Sequence, residues 1–190
     1  LEHARELNVT KIDLNGSAEA AGGTGLPRTP EEWRLYHVIL LGDVDRVQFS
    51  DSALRAMADL VAQAGRGMAM LGGLRTLGDG HYRSTPLDGL FPVSLAATGQ
   101  MAGAVTFELT AAGRVHACCR VGDLKEDAWK RLPPFAGASR LTDVAPGAEV
   151  LMRAASGEPL LVVQERANTR TAVVAFDSTW QWPFASETGL

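Results

Sequence analysis

No apolar run in this 190-residue chain approaches the roughly 20 residues that a membrane-spanning helix needs. Nor does the start resemble a secretory leader, since Leu1 to Leu7 is polar with a helical pattern. Basic residues are not in excess. Lys and Arg total 18 against 22 Asp and Glu, a formal net charge of −4. That balance argues against a dedicated nucleic-acid surface, which shows clustered positive charge. Cysteine is scarce. Cys118 and Cys119 are adjacent, and neighbours on a strand point to opposite faces, so they make a poor disulfide or metal pair. They read as small buried apolar residues. The four histidines, His3, His37, His81 and His116, are scattered without ligand spacing. No metal and no cofactor is expected. A phosphate-loop pattern is missing too, and Gly78-Asp79-Gly80 is a common turn. There is no internal repeat and no low-complexity segment.

What is present is enough for a core. The chain is 46% hydrophobic and 21% charged, which excludes disorder as its main state. Its length fits a single domain over 1–190. The uncapped start at Leu1 and the abrupt segment Ala185 to Leu190 predict an excerpt of a longer protein. Membrane association would then come only through other parts of that parent.

Periodicity divides the chain. Residues 1–8 read as the end of a helix, and Val9 to Leu14 alternates like a strand. Thr29-Pro30-Glu31-Glu32 is a capping box, predicting a short helix through about Leu35. His37 to Leu41 is an unalternating apolar run, as in a central parallel strand covered on both faces. Ser50 caps a helix through Ala64, with Leu54, Met57, Leu60, Val61 and Ala64 on one face and Gly65 as its stop. Gly67 to Leu71 is a second apolar strand. Together these make a βαβ unit with parallel strands and a right-handed crossover. Beyond a Gly- and Pro-rich loop, strands are expected at Val93–Ala97, Ala104–Leu109, Val115–Cys119, Glu149–Arg153, Leu160–Glu165 and Thr171–Phe176, and a helix at Asp127–Leu132. The expected class is therefore α/β: a mainly parallel central sheet with an antiparallel, strand-rich extension in the C-terminal half.

In such sheets ligands bind outside the carboxyl ends of the parallel strands. Three ends stand out: Gly42-Asp43-Val44-Asp45, Gly72-Gly73-Leu74-Arg75-Thr76 and Asp177-Ser178-Thr179-Trp180. Neighbouring strands would bring them to one cleft. The candidate binding residues are Asp43, Gly72, Gly73, Arg75, Asp177 and Ser178. Each has a plainer reading. Asp43 can simply cap a turn, and the two glycines can serve a tight turn. Asp177, Ser178 and Thr179 can cap a helix, and Arg75 can pair with Asp79. Trp180 and Trp182 can stack on a partner or seal the core edge. His116, within an expected strand, reads as a core or edge residue.

Tyr36 to Val44, Gly65 to Gly73, Leu132-Pro133-Pro134, Gly157 to Val162 and Phe176 to Trp182, taken in order, resemble the class I glutamine amidotransferase-like domains of large uncharacterised bacterial proteins. Such proteins often also carry membrane helices and a von Willebrand factor A-type domain. The resemblance spans about residues 26–182. It implies a flavodoxin-like sandwich with helices on both faces, and a first strand that lies upstream of this chain or is missing. Active members place a Cys after the strand matching Gly67 to Leu71, and a His and a Glu after the strand matching Thr171 to Phe176. Here Met70-Leu71-Gly72-Gly73 and Asp177-Ser178-Thr179 stand in those places. The resemblance thus implies a scaffold without the triad: a non-catalytic domain that binds a small ligand or a protein, with no catalytic residue. The alternative is an amidotransferase or hydrolase using a non-standard site around Asp43, His81 and Asp177.

Overall fold

The computed structural model describes residues 7–14, 25–96, 99–120 and 129–182. Most of the helix expected over residues 1–8 lies outside these, as do Asp127 and Ala128 of the helix expected at Asp127–Leu132.

The βαβ unit forms as its residues require. Thr29 caps α1 (Pro30–Trp33), its hydroxyl accepting the Glu32 amide at 3.2 Å. Strand β1 (Val38–Gly42) follows. Ser50 then caps α2 (Asp51–Ala64), accepting the Ala53 amide at 3.2 Å. The helix stops where Gly65 turns left-handed at φ 66°, a conformation that costs glycine little. Strand β2 (Gly67–Leu71) runs parallel to β1, pairing Val38 with Gly67 and Gly42 with Leu71.

The later elements are β3 (Gln100–Val105), β4 (Phe107–Leu109), α3 (Ala111–Val115), β5 (Phe135–Ser139), β6 (Glu149–Ala154), β7 (Pro159–Arg166) and β8 (Thr169–Val174). Six strands form one sheet in the order β1-β2-β8-β7-β6-β4. β1, β2 and β8 are parallel, while β8, β7, β6 and β4 pair antiparallel. β3 and β5 make a separate two-stranded ribbon.

The expected flavodoxin-like sandwich is overturned by this architecture. Only half of the main sheet is parallel. Among the described residues α2 is the single long helix, and the other two helices have four and five residues. Ile39 and Leu41 turn into the core with Leu54, Met57, Leu60 and Val61 of α2. Their neighbours Val38 and Leu40 stay 56% and 46% exposed. The apolar run in β1 therefore did not mean burial on both faces. Across the sheet, Leu40, Ala69, Ala172 and Val163 lie in register on that more open side.

Four strand expectations also change. Val9–Leu14 alternates but pairs with no strand among the described residues. Val93–Ala96 is irregular, its chain held by the Ser94 amide donating to the Thr142 carbonyl at 3.1 Å. Ala104–Leu109 is split at Thr106 between the two sheets, after a left-handed Gly103 at φ 81°. Val115–Cys119 is helical instead. Thr110 caps α3 by accepting the Gly113 amide at 3.0 Å, and His116 caps the 3-10 turn Ala117–Cys119 that follows. Gly113 lets α3 lie directly on the Leu151 carbonyl of β6, where any Cβ would collide. Strand β5, by contrast, carries no strand signal in its sequence, because Phe135-Ala136-Gly137-Ala138-Ser139 is small and Gly-containing.

Candidate functional site

The carboxyl ends of β1, β2 and β8 lie side by side, because these three strands are parallel neighbours. At the end of β1, Asp43 takes a left-handed φ of 40°. Its Oδ1 accepts the Arg75 amide at 2.7 Å, tying the β1 end to the loop after β2. Gly73 lies against the same carboxylate, so closely that a Cβ there would overlap it. Gly72 is pressed beneath the Ala175 carbonyl, and its amide donates to Val174 at 2.6 Å. Asp43, Gly73 and Arg75 thus meet directly, with Gly72 one residue deeper.

The ribbon fills the space beside these glycines. Gln100 of β3 and Ser139 of β5 face each other in register. Gln100 Nε2 donates to the Gly73 carbonyl at 3.1 Å and to Asp79 Oδ2 at 2.9 Å. Ser139 Oγ accepts the Gly73 amide at 3.4 Å and donates to Gln100 Oε1 at 3.3 Å. The Ser139 amide donates to Ala175 at 2.7 Å. Asp79 thus meets Gln100 rather than Arg75. Neither Gln100 nor Ser139 was singled out from sequence. They lie 39 residues apart, and nothing local marks their pairing.

The residues after β8 divide. Asp177 is exposed, whereas Ser178 is buried with its Oγ accepting the Ala136 amide of β5 at 3.2 Å. Ser178 opens a 3-10 turn, Ser178–Gln181, for which Asp177 makes no side-chain cap. Trp182 joins a ring cluster with Phe107, Trp129 and Phe135, and Phe176 stacks on Phe135 at 3.7 Å. Trp180 is 64% exposed. The two tryptophans therefore do not share one face.

The loop from Thr76 to Thr85 is locked to the β1–α2 connection. Tyr82 is fully buried, and its hydroxyl donates to the Val44 carbonyl at 2.7 Å. Burial, and then the charge of Asp45, push the Tyr82 phenol well above its ordinary range, so it stays a donor. Arg46 donates its amide to the Gly80 carbonyl at 2.9 Å. His81 Nδ1 lies 3.0 Å from Asp45 Oδ2, while Asp45 Oδ1 accepts the Val47 amide at 2.9 Å. Partial burial alone would raise the Asp45 carboxyl. The Val47 amide, His81 and the charge of Arg75 together outweigh it and hold the group below its ordinary value. His81 and Ser84 both adopt left-handed backbone, φ 62° and 61°, which non-glycine residues seldom do.

Beside this loop runs an open groove of about 490 Å³, lined by Arg46, Asp51, Arg55, His81, Arg83 and Ser84 among others. It sits at the first turns of α2. Among the described residues Asp51 pairs with Arg46 and with no other cation. Among the described residues no group of three or more His, Cys, Asp or Glu side chains is gathered to hold a metal. No described helix is long and apolar enough to cross a membrane.

No family model matches the chain, and no curated protein matches it in sequence. Solved structures do share its fold. The cytoplasmic protein STM1381 from Salmonella typhimurium LT2 superposes with a TM-score of 0.70 at 22% identity, covering 86% of this chain and 71% of that one. The cytoplasmic protein STM3548 from Salmonella typhimurium gives 0.66 at 21% identity, covering 86% and 72%. The resemblance to class I glutamine amidotransferase-like domains is thereby corrected. It rested on five short segments taken in order, from Tyr36–Val44 to Phe176–Trp182, and nothing among these similarities carries it. What this chain shares with the two Salmonella proteins is the fold: a mixed, strand-rich sheet with few helices.

Proposed function

We propose that this chain is a non-catalytic binding domain whose small ligand sits at the carboxyl ends of the parallel strands, in the groove between α2 and the 76–85 loop. The observation that carries this reading is the groove itself. It is lined by the connection after β1, the loop after β2 and the start of α2, segments that follow the strand ends α/β sheets use for ligands, and a fully buried Tyr82 anchors its loop. Asp43, Gly73 and Arg75 form the structural base from which that loop departs. The domain would act within a larger bacterial protein, and any membrane anchoring would come from segments beyond this chain.

A second reading, a hydrolase, is favoured by one observation: the 3.0 Å contact between His81 and Asp45. A carboxylate orients a histidine base in this way. The pair involves Asp45, not the Asp43 and Asp177 expected from sequence. Two features weigh against it. The His81 side chain is 72% exposed, and no serine, threonine or cysteine hydrogen-bonds its other nitrogen among the described residues.

Incubation of the full chain with a chemically sorted panel of small molecules separates the readings. Thermal unfolding reports binding, and one-dimensional NMR reports conversion. A compound that raises the midpoint and is recovered unchanged supports a binding domain. Turnover that disappears in His81→Ala supports the hydrolase and overturns the first reading.

A further inference from the structure

We propose that the groove recognises the phosphate group of a phosphorylated small molecule, an inference that rests on the binding reading above. The argument is one of charge and preorganisation. Three guanidinium groups line the groove: Arg46 from the β1–α2 connection, Arg55 from α2 and Arg83 from the loop. Arg46 is neutralised by Asp51. Asp51 lies four residues before Arg55, the spacing at which it would neutralise that side chain on a helix. It is turned to Arg46 instead. Arg55 and Arg83 therefore have no carboxylate partner among the described residues. Asp45, which contacts His81, and Asp88, which accepts the Ser84 amide, lie behind the groove wall and do not line it. Among the residues that line the groove, three guanidinium groups stand against one carboxylate, Asp51, and this excess of two positive charges matches a phosphate monoester of about −1.5 to −2 at neutral pH.

The donors suit the same group. Guanidinium forks bind phosphate oxygens in pairs. The Ser84 hydroxyl, without a hydrogen bond among the described residues, adds a further donor on the groove wall. Thr85 cannot serve in this way, because its hydroxyl already donates to the Tyr82 carbonyl at 2.7 Å.

Arg83 is also held in place. It lies between the two left-handed residues His81 and Ser84 and follows Tyr82, whose ring is buried and whose hydroxyl is bonded. The Ser84 amide donates to Asp88 Oδ2 at 2.8 Å. Strained backbone of this kind persists only where its surroundings over-determine it, and it gathers at ligand sites. A loop fixed before binding loses less freedom when the ligand arrives. The groove is roomier than a phosphate alone requires, so an organic moiety fits beside it. An extended nucleic acid is a poor fit, given one groove and an overall charge of −4.

Calorimetric titration at constant ionic strength tests the proposal, with glucose 6-phosphate, inorganic phosphate, glucose and succinate as probes. Glucose 6-phosphate is expected to bind, and glucose is not. The double variant Arg55→Ala/Arg83→Ala should weaken binding at least about tenfold. Arg131→Ala, which removes an exposed charge elsewhere, should change it less than about twofold. Both arginines are exposed, so folding should survive, and circular dichroism checks this. Arg55→Lys/Arg83→Lys, which keeps the charge, should recover part of the affinity. Tighter binding of the ester than of inorganic phosphate identifies a phosphorylated metabolite. Equal binding identifies free phosphate, and both results support the site. Absence of heat with either phosphate probe up to about 10 mM overturns the proposal, as does a double variant that binds like wild type. Succinate binding without phosphate binding sinks the phosphate assignment and leaves the binding domain. Hydrolysis of glucose 6-phosphate to glucose and phosphate sinks the non-catalytic reading and leaves the phosphate groove.

Discussion

The Tyr82 hydroxyl donates to the Val44 carbonyl at 2.7 Å, and this bond fastens the loop after β2 to the connection after β1. Both groups lie within the protein, Tyr82 fully buried and Val44 nearly so. Removing the hydroxyl leaves the carbonyl without that donor. Tyr82→Phe should therefore cost about 1–3 kcal/mol of stability, the usual penalty for an unsatisfied buried polar group. Urea unfolding of the two proteins measures it. A variant as stable as wild type would show that the bond does not hold the loop.

The adjacent glycines after β2 should differ sharply. A Cβ at Gly72 meets the Ala175 backbone, which cannot move without disturbing β8. A Cβ at Gly73 meets the Asp43 side chain, which can rotate at the loss of its bond to the Arg75 amide. Gly72→Ala should be destabilised by about 3 kcal/mol or fail to accumulate folded, and Gly73→Ala by about 1–2 kcal/mol. Thermal unfolding of both variants tests the ranking. The reverse order would mean that the contact with Ala175 is not the constraint.

Acid stability should depend on Asp45. Its folded carboxyl titrates below the ordinary value of 3.8, so folding favours the ionised form. The resulting stabilisation is present above the unfolded value and is lost as pH falls through the folded one. Asp45→Asn should be less stable than wild type near pH 6, and the gap should close below about pH 4. Unfolding midpoints across that range decide the matter. A gap that stays constant with pH would remove the carboxylate charge from the explanation.

Local signals made the first βαβ unit legible. Ser50, the apolar face of α2 and Gly65 each act within a few residues, and the structure places the helix at Asp51–Ala64 between β1 and β2. The adjacency of three parallel strand ends was conditional on β8 lying beside β2, which it does. The flavodoxin-like arrangement followed from the resemblance to amidotransferase-like domains and fails with it, and the apolar run of β1, which predicts burial on both faces, misleads in the same direction. Val38 and Leu40 are instead largely exposed. The groove was mostly illegible. Its basic side chains come from two loops and a helix, brought together by contacts such as Tyr82 to Val44, which spans 38 residues. His81 was visible as a loop histidine, but its partner Asp45 lies 36 residues away. Only the fold could pair them.

The most direct measurement is a two-dimensional amide NMR titration of the full chain with glucose 6-phosphate. The account predicts saturable shifts concentrated at Arg46, Arg55 and the 81–84 segment, with the β6 and β7 amides unmoved. Shifts absent throughout the titration, or clustered away from these residues, would contradict a phosphate-binding groove between α2 and the loop.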